Sequence, residues 1–573
     1  MHDLRRFLVD YDMAMLRALA ENRGISLATN VHAEAVDQMA QALLAPLSVR
    51  TALAHLSPPA RQALETLLAA GGRLRAPQFA RAFGQIRPIG PGRLAREAPW
   101  QEPASPAEEL WYAGLLYRGF FDDKGGPGEF VTVPDDLRPL LPHPKVEAPP
   151  FRVEVVPPPP AAGAPRRTLV DDLFAYLVYL QTHDVRPYAD GRLGRRDLAA
   201  LKVRMGDVEP RRLALVRYLA DQLAFVARPE LFFRLEAAPV KDWLSAPPTE
   251  QAAILYRTWH DDPTWHDLCR VPSLACDDTP WLQHYDPVAA RRALLALLAH
   301  CPPDEWWSLA SFVAAVKERN PDFQRPDGDY TSWYIRDAAS GEYLSGFESW
   351  DHVEGALVAD LLAGPLRWLG LVAAGRGEAG PACCLTETGR RLLGLTAAEP
   401  ENWPPPPIVV HPDRRIEVPP PASLYTCFQL ERFAQPRALP ALPRGTGETR
   451  YYHLTVEALG RALERGIRVE QVLAFLKQAS GDRLPAAVAD QLGLWAGRYG
   501  QVHLGEVILL TTRSEKALQE LATLPETRNL IARKLSPTTA LVRKQDLPRL
   551  ERALRALGFL PPAEPPGDPV EHG

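Results

Sequence analysis

The chain contains no Gly-Lys-Ser and no Gly-Lys-Thr. A nucleotide-driven motor usually needs a G-x-x-x-x-G-K-[ST] cradle, where backbone amides and a lysine surround the triphosphate. No ATPase activity is therefore expected, and no enzyme: there is no Gly-x-Ser-x-Gly nucleophile elbow either. The six cysteines (Cys269, Cys276, Cys301, Cys383, Cys384 and Cys427) form no Cys-x-x-Cys. That is the usage of a reducing, cytoplasmic compartment, and no cofactor is expected. No run of about 18 apolar residues occurs, so no membrane partner is expected. The opening "MHDLRRFLVDYDMAML" lacks the continuous apolar core of a signal peptide. Charge of one sign is also missing, with a net of −5 over 573 residues. Any contact with nucleic acid must therefore come from local patches.

Proline is abundant and marks the joints. "PHPKVEAPPFRVEVVPPPPAAGAP" (Pro142–Pro165) cannot be a regular helix and reads as an extended linker. "EPENWPPPPIVV" (Glu399–Val410) is a second break, and "PPAEPPGDPVEHG" (Pro561–Gly573) reads as a disordered tail. Between these marks the pattern is mainly helical, and three regions resemble one another. Each begins with amphipathic helices and ends in a helix that runs into an apolar, strand-like stretch. These endings are "EELWYAGLLYRGFF" (Glu108–Phe121), "RRLALVRYLADQLAFVARP" (Arg211–Pro229) and "VADLLAGPLRWLGLVAAG" (Val358–Gly375). Three helices and a short β-wing make the winged-helix plan. The fold class expected is mainly α with small β: tandem winged-helix-like modules followed by an α+β domain. The boundaries are a helical hairpin at 1–48, modules at 49–145, 166–280 and 286–398, the α+β domain at 405–562, and the tail at 563–573. The hairpin resembles a SAP-type module. Its second helix begins "HAEAVDQ", without a basic residue to meet phosphate, so a packing hairpin is the favoured reading.

"PIVVHPDRRIEV" (Pro407–Val418) opens the last domain as strand, turn and strand. "YYHLTVEALGRALERGIRVEQVLAFLKQAS" (Tyr451–Ser480) follows with a strand-like entry, a helix capped at Thr455, a Gly466 turn and a second helix. Val456, Leu459 and Leu463 fall on one face of the first helix; Val469, Val472, Leu473 and Leu476 form an apolar face on the second. With the helix ending at Trp495…Tyr499-Gly500, "NLIARKLSPTTALV" and the closing helix from Asp546, this resembles the N-terminal domain of XPB-type DNA repair and transcription helicases. The resemblance runs from about Ile408 to Leu560 and extends to bacterial helicase-associated proteins. It implies an accessory domain found near helicases, with DNA and a helicase or other repair or transcription protein as candidate partners.

Two basic concentrations are candidate nucleic-acid surfaces. Arg186–Arg217 holds nine Arg or Lys against four Asp or Glu, and Arg513–Arg555 holds ten against five. In the first, Arg195, Arg196, Lys202 and Arg204 fall on the middle helix of the second module, while Arg211 and Arg212 open its third helix, where phosphate is favoured. In the second stand Arg533, Lys534, Arg543 and Lys544. A solvated, arginine-rich surface is the competing reading for both. Trp306, Trp307, Trp333, Tyr334 and Trp350 are either base-stacking platforms or, more often at such spacings, core. His266, Cys269, Cys276 and His284 have zinc-type donors, but their spacing is wider than the usual paired knuckles, and the thiols suit a small buried apolar role. Asp261–Asp262 and Asp277–Asp278 read as solvated or capping acids. The first function expected is a non-enzymatic, DNA-associated accessory protein. The alternative is a protein–protein scaffold that never touches DNA.

Overall fold

The computed structural model describes residues 3–123, 126–142, 151–160, 167–188, 191–206, 209–227, 232–276, 280–283, 285–397, 403–437, 448–502 and 507–560. His284, Asp277–Asp278, part of the 142–165 linker and the tail lie outside them. The fold is mainly α with small antiparallel sheets. Among the described residues no helix is long and apolar enough to cross a membrane. The chain divides into two compact units. The first is Met1–Thr455 with Leu476–Arg483; the second is Val456–Phe475 with Leu484–Gly573. The division falls inside the 405–562 segment.

The first unit opens with helices Leu4–Val9, Met13–Asn22 and His32–Leu43. Gly24 takes a left-handed φ of +64° just beyond the second, as a helix terminus requires. Their apolar faces bury Leu8, Leu16, Leu19, Val36 and Met39 together with Tyr117, Phe121 and Phe130 of a β-hairpin. The hairpin of helices is thus a packing element against that sheet. Next come helix Pro58–Ala69, strand Arg73–Arg75, helices Ala76–Phe83, Pro91–Glu97 and Pro106–Tyr112, and strands Tyr117–Asp123 and Gly126–Thr132. The last strand is central, pairing antiparallel with both others. The 108–121 stretch is a helix that runs into a strand, as its sequence suggests, and the helical part is short. It stops at Tyr112, Gly114 turns the chain at φ +65°, and the rest is strand.

The 286–398 region repeats this connection. Helix Pro287–Leu298, strand Trp307–Ser308 and helices Leu309–Arg319 and Trp350–Ala363 lead to strands Val372–Gly377 and Gly380–Leu385, again with the last strand central. Trp307, Trp350 and Phe312 are fully buried, each worth about 1.5–3 kcal/mol of apolar burial. The proline-rich linker also joins this sheet. Val155 bridges Trp307, Val156 donates to the Trp306 carbonyl at 2.8 Å, and Ser308 donates to Glu154 at 2.9 Å. The 166–280 region is plainer: helices Leu169–Thr182, Arg195–Arg204 and Pro210–Gln222, then a two-stranded wing, Val226–Ala227 with Arg234–Leu235. Helix Pro248–His260 follows. Here Arg291 is 1% exposed; it donates to Asp267 at 2.7 Å and to the Trp259 and Asp262 carbonyls, each at 2.6 Å.

Strands Val409–Val410, Arg415–Val418, Gln435–Pro436 and Arg450–His453 make a four-stranded sheet, still in the first unit. Asp413 accepts from the Arg415 amide at 3.1 Å in the expected turn. Helices Val456–Glu464 and Val469–Ala479 lie on either side of Gly466, whose φ is +79°. The buried face of the first is Ala458, Leu459 and Ala462; Val456 is exposed, because the helix is rotated from the face its larger residues suggest. Val472 and Leu476 are buried in the second. The second unit also holds helix Ala486–Arg498 and a two-layer βαββα piece: strand Val507–Thr511, helix Glu515–Thr523, strands Ile531–Lys534 and Thr539–Arg543, and helix Leu547–Ala556. Its core is Leu521, Val542, Leu550 and Leu554.

Candidate nucleic-acid interface

The first basic concentration separates into two kinds of arginine. Helix Arg195–Arg204 starts after Gly194, and Arg195, Arg196 and Lys202 are exposed. Arg195 and Arg196 have no carboxylate at ion-pair distance among the described residues. The other three turn inward. Arg204 meets Glu431 at 2.8 Å, with the Glu431 carboxyl pushed up by burial and held back by Arg204. Arg211 donates to both oxygens of Asp360, at 2.8 and 3.0 Å, and to the Arg270 carbonyl at 3.0 Å. Burial raises Asp360 as well, against the pull of Arg211. Arg212 and Arg167 close on the fully buried Asp172 from two sides. Arg204, Arg211 and Arg212 are therefore removed from the set offered to phosphate: a carboxylate that is buried or largely so holds each guanidinium more firmly than a solvated anion would.

The last helices before the paired wing strands of the repeated units are also largely committed to packing. Pro106–Tyr112 buries Ala107, Glu108, Leu110 and Tyr112, and Arg87 fixes Glu108 at 2.8 and 2.6 Å. Pro210–Gln222 buries Leu213, Leu215, Val216, Leu219 and Ala220. Trp350–Ala363 buries Trp350, Val353, Glu354, Leu357, Val358, Leu361 and Leu362. Each of these helices gives one face to packing, which leaves only its remaining face for a major groove, the usual use of that position.

The second concentration has the opposite character. In the three-stranded sheet, Ala540 and Val542 point to the helices, and Ile508 and Leu510 join them. Alternation sends Leu509, Leu541 and Arg543 to the open face. Arg533 stands opposite Leu541, and Leu541 opposite Leu509. Arg513, Arg533, Lys534, Arg543 and Lys544 are all exposed. Lys534 pairs with Glu515 at 3.5 Å, both well exposed, which is worth little. Arg513, Arg533 and Arg543 have no carboxylate at ion-pair distance among the described residues.

Residues 408–536 match the family model of a helicase conserved C-terminal domain. This segment is helicase-related. It starts at the four-stranded sheet and ends just beyond strand Ile531–Lys534, so it includes Arg533 and Lys534 and stops before Arg543 and Lys544. No curated protein matches the chain.

The remaining candidates divide by burial. Trp307 and Trp350 are core. Trp333 stacks on Trp281 at 4.7 Å, with Arg325 3.8 Å over its ring. Tyr334 is exposed and touches the exposed Tyr343, 6.3 Å between centroids. Tyr343 was not singled out from sequence; the hairpin that presents it became visible only in three dimensions. Cys269 and Cys276 are thiol neighbours, and the Cys276 hydrogen bond together with burial raises Cys269. His266 packs edge-on to Tyr285, and burial lowers its basicity. Among the described residues no group of three or more His, Cys, Asp or Glu is placed to hold a metal. Asp262 is a turn acceptor: Tyr218 donates to it at 2.5 Å and the Thr264 amide at 2.6 Å.

Proposed function

We propose that the protein is a helicase-related accessory protein without a motor, similar to the N-terminal domain of XPB-type helicases, that associates with DNA in repair or transcription. The observation that carries the proposal is the set of exposed, unpaired cations Arg513, Arg533 and Arg543 in a unit that shares the helicase-related segment. Contact through such residues is phosphate-directed, sensitive to salt and tolerant of sequence. The strand order of the repeated units, with the last strand central, supports the winged-helix reading. The missing phosphate cradle supports a non-enzymatic role, and the unpaired cysteines a cytoplasmic one. Binding of duplex and single-stranded DNA across a salt series tests the proposal. Affinity that is detectable at low salt and falls steeply as salt rises supports it. No binding at low salt, or no dependence on salt, overturns it. ATP turnover by the purified chain overturns the motor-less part.

One observation favours a second reading. The helices before the wings give much of their surface to packing, which suits modules that hold a helicase or other protein partner. Copurification with such a partner in the absence of DNA binding selects this scaffold role.

A further inference from the structure

The two edges of the three-stranded sheet in the second unit are unlike each other. Edge strand Ile531–Lys534 carries a register shift between Ile531 and Arg533, and its end is cationic. A bulge and charges are the usual protection against unwanted strand pairing. Edge strand Val507–Thr511, "VILLT", has no bulge, no charge and no proline. Leu509 at its centre is 58% exposed. Among the described residues nothing pairs with its outer side.

We infer that this strand is a pairing site for the same strand of a second copy of the chain. The hydrogen-bond directions fix the geometry. Thr512 donates to the Thr538 carbonyl at 2.8 Å, so residue 512 faces inward to the neighbouring strand. Direction alternates along an antiparallel strand, so the N–H and C=O groups of Val507, Leu509 and Thr511 face the open edge. An antiparallel copy related by a two-fold axis through Leu509 sets Val507 against Thr511, Leu509 against Leu509 and Thr511 against Val507. Each opposed pair then exchanges both hydrogen bonds. The same axis keeps the open faces on one side, so the Leu541–Leu509 row continues into the Leu509–Leu541 row of the second copy and covers Leu509.

Charge agrees with this register. The strand is neutral, so no like charges meet at the seam. Arg543 lies opposite Val507 one strand back, and Arg533 a further strand away, so the two sets of cations stay apart. The inference does not rest on nucleic-acid binding.

Sedimentation equilibrium of the full chain tests it. The wild type is expected to move from monomer to dimer mass as concentration rises. Leu509 is exposed, so L509K and L509E leave the monomer folded, as matching circular dichroism checks. Each variant alone sets like charges face to face and is expected to remain monomeric, whereas an equimolar mixture of the two is expected to recover dimer mass. A wild type that is monomeric throughout, variants that dimerise alone, or a mixture that fails to associate would each overturn the inference.

Discussion

Arginine does opposite work in the two units. In the first, Arg204, Arg211, Arg212 and Arg291 end on buried or largely buried carboxylates and fix helices to their neighbours. In the second, Arg533 and Arg543 stand exposed on an open sheet face. The sequences look alike, since both regions carry about twice as many bases as acids. What separates them is where the acids are. Asp172 and Asp360 lie within apolar helical runs of the first unit, so folding buries the first, largely buries the second, and they need a cation. Of the acids between Arg513 and Arg555, Glu515, Glu520 and Glu526 are exposed and Asp546 and Glu551 half-buried; none is buried, so they compel nothing. A basic count in a sequence is therefore a weak guide to a binding surface until its carboxylates have been located.

The largest test of this contrast is Arg291→Ala. Asp267 and the carbonyls around it would be left buried without their donor, and stability should drop by about 3–5 kcal/mol. A denaturant midpoint close to wild type would break the claim that first-unit arginines are structural. Arg211→Ala should cost less, about 1–3 kcal/mol, because the pair is partly exposed. Its pH dependence is specific. Burial already raises Asp360, and loss of Arg211 raises it further, so the folded variant binds a proton that the unfolded chain releases. Stability rises with falling pH in that case. The penalty should be greatest at neutral pH and shrink as pH falls through the folded pKa of Asp360. A penalty that does not change between neutral and mildly acid pH would remove Asp360 from the account.

On the other side of the comparison, Arg533→Ala with Arg543→Ala should change stability by less than about 0.5 kcal/mol. The same pair should lower DNA affinity and reduce the salt slope by about two, one for each phosphate contact. An unchanged slope would show that the open sheet face carries no phosphate. The smallest effect is expected from Arg195→Ala with Arg196→Ala, two exposed cations on one helix. Stability should hold, and any loss of affinity should be below that of the sheet pair. If instead this pair dominates the slope, the interface lies on the first unit.

Much of the fold was legible. The Gly466 cap, the Asp413 turn and the Arg195 and Pro210 helices follow from local chemistry that the surrounding fold did not overrule. In the 108–121 stretch the place of the change from helix to strand was hard to read, because an apolar run suits a buried helix and a buried strand equally, and Gly114 marks the change. The candidate site was half legible. Arg195, Arg196, Lys202, Arg533, Lys534, Arg543 and Lys544 are exposed, while Arg204, Arg211 and Arg212, which turn inward, are not separable from them in the sequence. Their partners lie on other elements, Glu431 and Asp360 more than a hundred residues along the chain. The acids inside "LVDDLFAYL" and "VADLLAG" were the available signal, since a carboxylate in an apolar helical face calls for a counter-ion.

By itself the sequence determined that no Gly-Lys-Ser or Gly-Lys-Thr is present, that the chain is mainly helical, and that residues 408–536 are helicase-related. These depend on residue order over short spans, where geometry and propensity act directly. The tertiary structure alone decided which arginines are free, that the helices before the wings each bury one face, and that one sheet edge is protected while the other is bare. Each of these depends on which distant residue arrives beside a charge or a strand, and burial, which only the folded chain has, sets whether that neighbour binds it.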